Sequence, residues 1–144
     1  MTHFVKQLKI MKAKITKKSS FLNIFKLITY MELAQYIVMN TSIGMEKGKL
    51  VAQGAHAAVS VLDKVDSAAL NDWKNGGMKK IVLKINSTKD LIEKFQEVKD
   101  AGLPAALITD AGRTQIPAGS KTAFACGPIE ESEAEKYFSE LKLL

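Results

Sequence analysis

Along residues 31–144 the apolar positions switch between two spacings, and the switches predict the elements. Leu33 to Met39 is a short β-branched and aromatic run followed by Asn40-Thr41-Ser42, which predicts a strand running into a loop. Lys80 to Ile85, Ala105 to Thr109 and Lys121 to Cys126 predict three further strands, the last closed by Gly127-Pro128. Between them the period lengthens to that of a helix. Gly48 to Val65 carries Ala52, Ala55, Val59 and Leu62 at the three-and-four spacing of a buried face. Asp66 or Ser67 caps a second helix through Asn75, with Trp73 inward and Gly76-Gly77 as its stop. Ser87-Thr88-Lys89-Asp90 is a capping box with Asp in place of Glu; it opens a helix with Leu91, Ile92, Phe95 and Val98 inward, and that helix ends at Gly102 before Pro104. The tail from Glu130 to Leu144 predicts a last helix, acidic at its start, with Tyr137, Phe138 and Leu141 apolar. Strands alternating with helices predict a single three-layer α/β domain.

Within the first helix Lys49, Gln53, His56 and Ser60 fall within about 60° of one another, so a cation, an amide and an imidazole share one stripe. That is a candidate site, and it is also the pattern of a solvated helix face. Gly44-Met45-Glu46-Lys47-Gly48-Lys49-Leu50 is not a phosphate-binding P-loop: its glycines are one residue too close, and Leu50 stands where a hydroxyl is required. What remains at the helix start is a set of backbone N–H groups beside the Lys49 ammonium, which suits an anionic oxygen. A second polar cluster, Thr109-Asp110-Ala111-Gly112-Arg113-Thr114-Gln115, follows a strand. Ligands of open α/β sheets gather outside strand carboxyl ends, which makes Asp110 a candidate; an Asp before Ala-Gly is equally a turn former.

Charge changes the picture less than its total implies. The formal charge is +6, but seven of the 21 basic residues lie in residues 1–30, which contain no acid, leaving 14 basic against 15 acidic residues in 31–144. Global charge therefore does not argue for RNA binding by the folded part. Residues 1–30 form a basic extension outside the fold, with three readings: a translated region upstream of a start at Met31, which ranks first; a targeting peptide; or a basic arm. Lys26 and Glu32 interrupt the best apolar run short of the roughly 18 residues that span a bilayer. The single cysteine, Cys126, excludes an internal disulfide and fits a reducing, cytoplasmic setting, and two histidines, His3 and His56, give no zinc-type ligand spacing.

Taken together, Glu46 to Ser60 with its Gly-Lys-x-x-x-Gln-x-x-His-Ala pattern, Lys79 to Lys84, Gly102-Leu103-Pro104, Asp110 to Ile116 and Leu141 to Leu144 resemble the archaeal and eukaryotic type of peptidyl-tRNA hydrolase. The order and spacing agree across 31–144. The resemblance implies a four-stranded mixed sheet with helices on both faces, a homodimer, and a cofactor-independent, metal-free esterase that cleaves peptide from the 3′ ribose of tRNA. It also implies Lys49, Gln53, His56, Asp110, Thr114 and Gln115 as site residues, with Lys49, Asp110, Thr114 and His56 catalytic. Arg113, Lys47 and Lys84, with Lys79 and Lys80, are candidate contacts for tRNA phosphates. His56 also reads as a packed, hydrogen-bonded helix histidine, because alanines flank it. A non-catalytic RNA-binding adaptor on the same scaffold is the alternative function. The sequence departs from the family in the loop Met39 to Gly44, which lacks the usual basic residue and Asp, and in Pro117, which stands one place early.

Overall fold

The computed structural model describes residues 32–112 and 116–144, with His3, Lys6 and Gln7 of the N-terminal segment. The rest of the expected basic extension lies outside the described residues. In chain order the elements are β1 (Leu33–Asn40), α1 (Lys47–Ser60), a 3₁₀ turn (Leu62–Lys64), α2 (Ser67–Asn75), β2 (Lys80–Ile85), α3 (Thr88–Asp100), β3 (Ala105–Thr109), β4 (Lys121–Glu130), α4 (Glu131–Phe138) and β5 (Lys142–Leu143). Two helix starts are capped as expected: Asp66 accepts the Ala68 and Ala69 N–H groups, and Ser87 accepts that of Asp90.

The strands form one mixed sheet in the order β3-β4-β1-β2-β5. β1 and β2 run parallel; β4 is antiparallel to both β1 and β3, and β5 to β2. It follows that β1, β2 and β3 all end at the edge of the sheet where β4 begins. Two expectations are corrected. The sheet has five strands among the described residues, not four, and the last helix stops at Phe138 instead of running to Leu144. The tail instead pairs Leu143 with Leu83 and Lys142 with Lys84, and the Leu144 N–H donates to the Val82 carbonyl (3.1 Å). A two-residue strand is too short to display alternation, yet it covers the otherwise open edge of β2.

A third correction concerns α1. Its buried residues are Gln53, Ala57 and Ala58, while Ala52, Ala55 and Val59 of the expected inner face are exposed. The helix is rotated because the polar Gln53 finds a buried partner, which removes the cost of turning it inward. Ile92 of α3 likewise faces outward.

Alternate residues of β1 enter two clusters, as the pleat requires. Tyr36 and Val38 pack with Phe124, with Leu91 and Val98 of α3 and with Phe138 of α4; Ile37 and Met39 pack with Ala57 and Ala58 of α1. Tyr36 and Phe138 stack with ring centroids 4.9 Å apart. Each fully buried side chain of this size contributes about 1.5–3 kcal/mol. Gly54 faces Met39 and Ile37 of β1, where a Cβ would meet both at the distance of ordinary van der Waals contact. Cys126 belongs to this interior; burial pushes its thiol up to about 12, so it behaves as a small hydrophobe. Among the described residues no helix is long and apolar enough to cross a membrane.

Candidate active site

The carboxyl ends of β1, β2 and β3 meet the start of β4 at one edge of the sheet, and the polar residues gather there. Asn40, the last residue of β1, is fully buried and makes four hydrogen bonds. Its amide donates to Thr88 Oγ1 and to the Lys121 carbonyl, each at 2.9 Å. Its oxygen accepts the Ser42 N–H (3.0 Å) and hydroxyl (2.6 Å). One carboxamide thus joins the end of β1, the start of α3, the start of β4 and the loop that leads into α1.

That loop delivers Lys49 in the first turn of α1, where its ammonium forms a hydrogen-bonded ion pair with Asp110 Oδ1. The side chains are 9% and 3% exposed. Asp110 follows β3 directly and is held from both sides: its N–H donates to the Ser120 carbonyl (2.9 Å), and its own carbonyl accepts from Gly119 (3.1 Å). Its second carboxylate oxygen accepts the Gly112 N–H at 2.9 Å. Gly112 has φ +80°, and a Cβ there would stand 2.5 Å from the Ala118 Cβ, so only glycine fits the turn that aims this N–H.

The first turn of α1 holds no acid, so Lys49 and the exposed Lys47 face the positive end of the helix dipole. The Asp110 carboxylate offsets that field. Removing two charges from water costs about as much as their attraction returns, so such a pair adds little to stability. What it supplies is an ammonium and a carboxylate fixed together where the dielectric is low. An ammonium carries three donors, so the bond to Asp110 does not exhaust it.

Of the other expected site residues, Gln53 lies one turn beyond Lys49 and accepts a 2.6 Å hydrogen bond from the Thr122 hydroxyl. His56 is exposed, not packed among alanines, and sits about 10 Å along the axis from Lys49. The packing expected for it is therefore corrected: its neighbours Ala57 and Ala58 take the inner positions. Lys47 and Lys84 are exposed at the same end of the sheet, Lys84 beside Met39 in register. Lys79 pairs with Glu131 (2.5 Å), and Lys80 lies 5.0 Å from the Trp73 ring centroid; both remain exposed. Arg113, Thr114 and Gln115 lie outside the described residues. Asn40, Thr122 and Lys121, whose ammonium donates to Thr109 Oγ1 (2.7 Å), were not singled out by the sequence. An Asn closing an apolar strand was the available signal for the first.

The family model described as peptidyl-tRNA hydrolase PTH2 matches residues 33–144. The chain belongs to that family. Peptidyl-tRNA hydrolase family relatives include one from Methanococcus maripaludis (strain C7), 46% identical over 113 residues that cover 76% of this chain and 97% of that protein. One from Halobacterium salinarum is 42% identical over 111 residues, 77% of this chain and 99% of that protein. One from Methanothermobacter thermautotrophicus is 36% identical over 112 residues, 78% of this chain and 100% of that protein. Lys49, Gln53, His56 and Asp110 all fall inside the stretch that the peptidyl-tRNA hydrolase PTH2 model matches.

Proposed function

We propose that this chain hydrolyses the ester between peptide and tRNA in peptidyl-tRNA, releasing free tRNA and peptide. Family membership supports the reaction class, and the buried Lys49–Asp110 pair at the strand ends is the observation that carries the assignment of the site. Ester hydrolysis needs an oriented water and positive or N–H character where the oxyanion develops. Asp110, paired with Lys49 through one carboxylate oxygen and bound to the Gly112 N–H through the other, is read as orienting the water and holding Lys49. Lys49 faces the oxyanion or the terminal phosphate. Water oxygen bonds to the ester carbon, the bond from that carbon to the ribose oxygen breaks, and the proton released by the water ends on the ribose hydroxyl. Thr114 and Gln115 orient the substrate end, Gln53 contacts the substrate, His56 is a further catalytic candidate, and Arg113, Lys47 and Lys84 meet tRNA phosphates. The reaction uses no cofactor on this reading, and residues 31–144 form the hydrolase domain, with α1 on one face of the sheet and α3 and α4 on the other.

The test is hydrolysis of peptidyl-tRNA by Asp110→Asn. We expect kcat to fall by about a hundredfold or more; turnover at the wild-type rate would sink the assignment.

We further propose that the chain works in the cytoplasm as a homodimer. A groove of about 570 Å³ between α1 and β2 is lined almost wholly by apolar groups, including Ile37, Met39 and Val82. Val51, Val59 and Leu144 at this groove are 73%, 68% and 52% exposed. Apolar surface of this kind is typical of subunit contacts, and a second copy is the occupant we assign to it. Sedimentation should give a dimer for the natural chain and a monomer for Val59→Lys, whose exposed position spares the fold.

A further inference from the structure

Thr122 lies in β4, fully buried, and no role in the reaction follows from its position in the sequence. Its hydroxyl meets Gln53 Oε1 at 2.6 Å, with the Ile108 carbonyl farther away at 3.5 Å. A hydroxyl has one proton, and the shorter contact takes it. At 2.6 Å the contact has the length of an O–H···O bond and is shorter than amide N–H···O bonds, so the oxygen of the Gln53 amide faces Thr122. The two N–H donors of the amide therefore point away from Thr122. Helix side chains lean toward the N-terminus, which for Gln53 is the direction of Lys49 one turn earlier. Gln53 is itself only 5% exposed, so its oxygen has little access to water as a substitute partner.

We propose that the Thr122 hydroxyl is a positioning group for hydrolysis: it fixes the Gln53 amide with its N–H donors toward the Lys49–Asp110 pair, where they bind the ester carbonyl oxygen. Without the hydroxyl the amide turns about its last torsion and presents its own oxygen, which repels the oxyanion instead of binding it. This inference rests on the assignment of Lys49 and Asp110 as the reacting site.

The experiment compares steady-state hydrolysis of peptidyl-tRNA by Thr122→Val, Thr122→Ser, Gln53→Glu, Gln53→Ala and the Thr122→Val/Gln53→Ala pair, alongside Lys49→Ala and Asp110→Asn. Thr122→Val keeps the shape and removes the hydroxyl. We expect it to lower kcat by about tenfold, less than the roughly hundredfold cost of deleting a positioned donor, with KM changed by less than about twofold. Thr122→Ser should restore kcat to within about threefold of the natural chain. Gln53→Glu keeps the acceptor toward Thr122 and removes the donors, so it should lose at least as much kcat as Thr122→Val. In the Gln53→Ala background Thr122→Val should cost almost nothing more. Should Thr122→Val fail to fold, Thr122→Ala takes its place in the same comparison with Thr122→Ser and the Gln53→Ala background. Full activity of Gln53→Glu, or losses at Thr122 and Gln53 that simply multiply, would overturn the inference while leaving Lys49 and Asp110 in place. Full activity of Lys49→Ala and Asp110→Asn would overturn the site itself and this inference with it.

Discussion

Two lysine–carboxylate pairs in this molecule use the same chemical groups to different ends. Lys94 on α3 reaches Glu140 at 2.6 Å and Glu97 at 3.0 Å, tying α3 to the turn that precedes β5. Its glutamates are 57% and 47% exposed, so water and salt screen the attraction. Burial works to lower the Lys94 pKa, but its hydrogen bonds to Glu140 and Glu97 outweigh that and raise it; the bond from Lys94 holds the Glu140 carboxyl below its ordinary range. The Lys49–Asp110 pair is almost closed off from water and stands in a frame of backbone hydrogen bonds. The surface pair is an attachment that the fold can lose. The buried pair fixes an ammonium and a carboxylate together where water is almost excluded.

Breaking the buried pair should have the larger effect. Lys49→Met should lower kcat/KM by about a hundredfold or more and, by leaving Asp110 buried without its cation, destabilise the fold by about 3–5 kcal/mol. Adding Asp110→Asn to that variant should recover most of the stability and none of the activity. Thermal melts and hydrolysis rates of the single and double variants check both halves. If the double variant is as unstable as the single, shape and not charge holds this region, and the contrast between the pairs fails.

The smaller effect belongs to the surface pair: Lys94→Met should cost less than about 1 kcal/mol in a denaturant titration and leave hydrolysis unchanged, with the difference shrinking in 1 M salt. The sign with pH follows from Glu140. A carboxyl whose folded pKa is lowered contributes its stability above the unfolded pKa and loses it as pH falls through the folded one. The natural chain and Lys94→Met should therefore converge on acidification.

Much of the architecture was legible because most elements obey local rules. β2 and β3 carry the bounds read from the apolar runs, and Asp66 and Ser87 cap helices as their chemistry demands. The rest depended on partners distant in sequence. α1 turns Gln53 inward because Thr122, 69 residues away, supplies a hydroxyl, and an apolar count along one helix contains no trace of that. The same rotation pushes Val51 and Val59 out into a groove. β5 exists because the edge of β2 offers it hydrogen bonds. At the site, Lys49 and Asp110 were marked by their places at a helix start and a strand end, whereas their direct pairing is a tertiary fact 61 residues apart.

The loop after β1 begins at the neutral Asn40, whose carboxamide ties together four segments at the rim of the candidate site. A carboxamide neither gains nor loses a proton across the range in which proteins stay folded. That joint is therefore indifferent to acidity. A bell or slope of hydrolysis against pH cannot arise from the opening of this joint, which stays tied while the charged groups around it titrate.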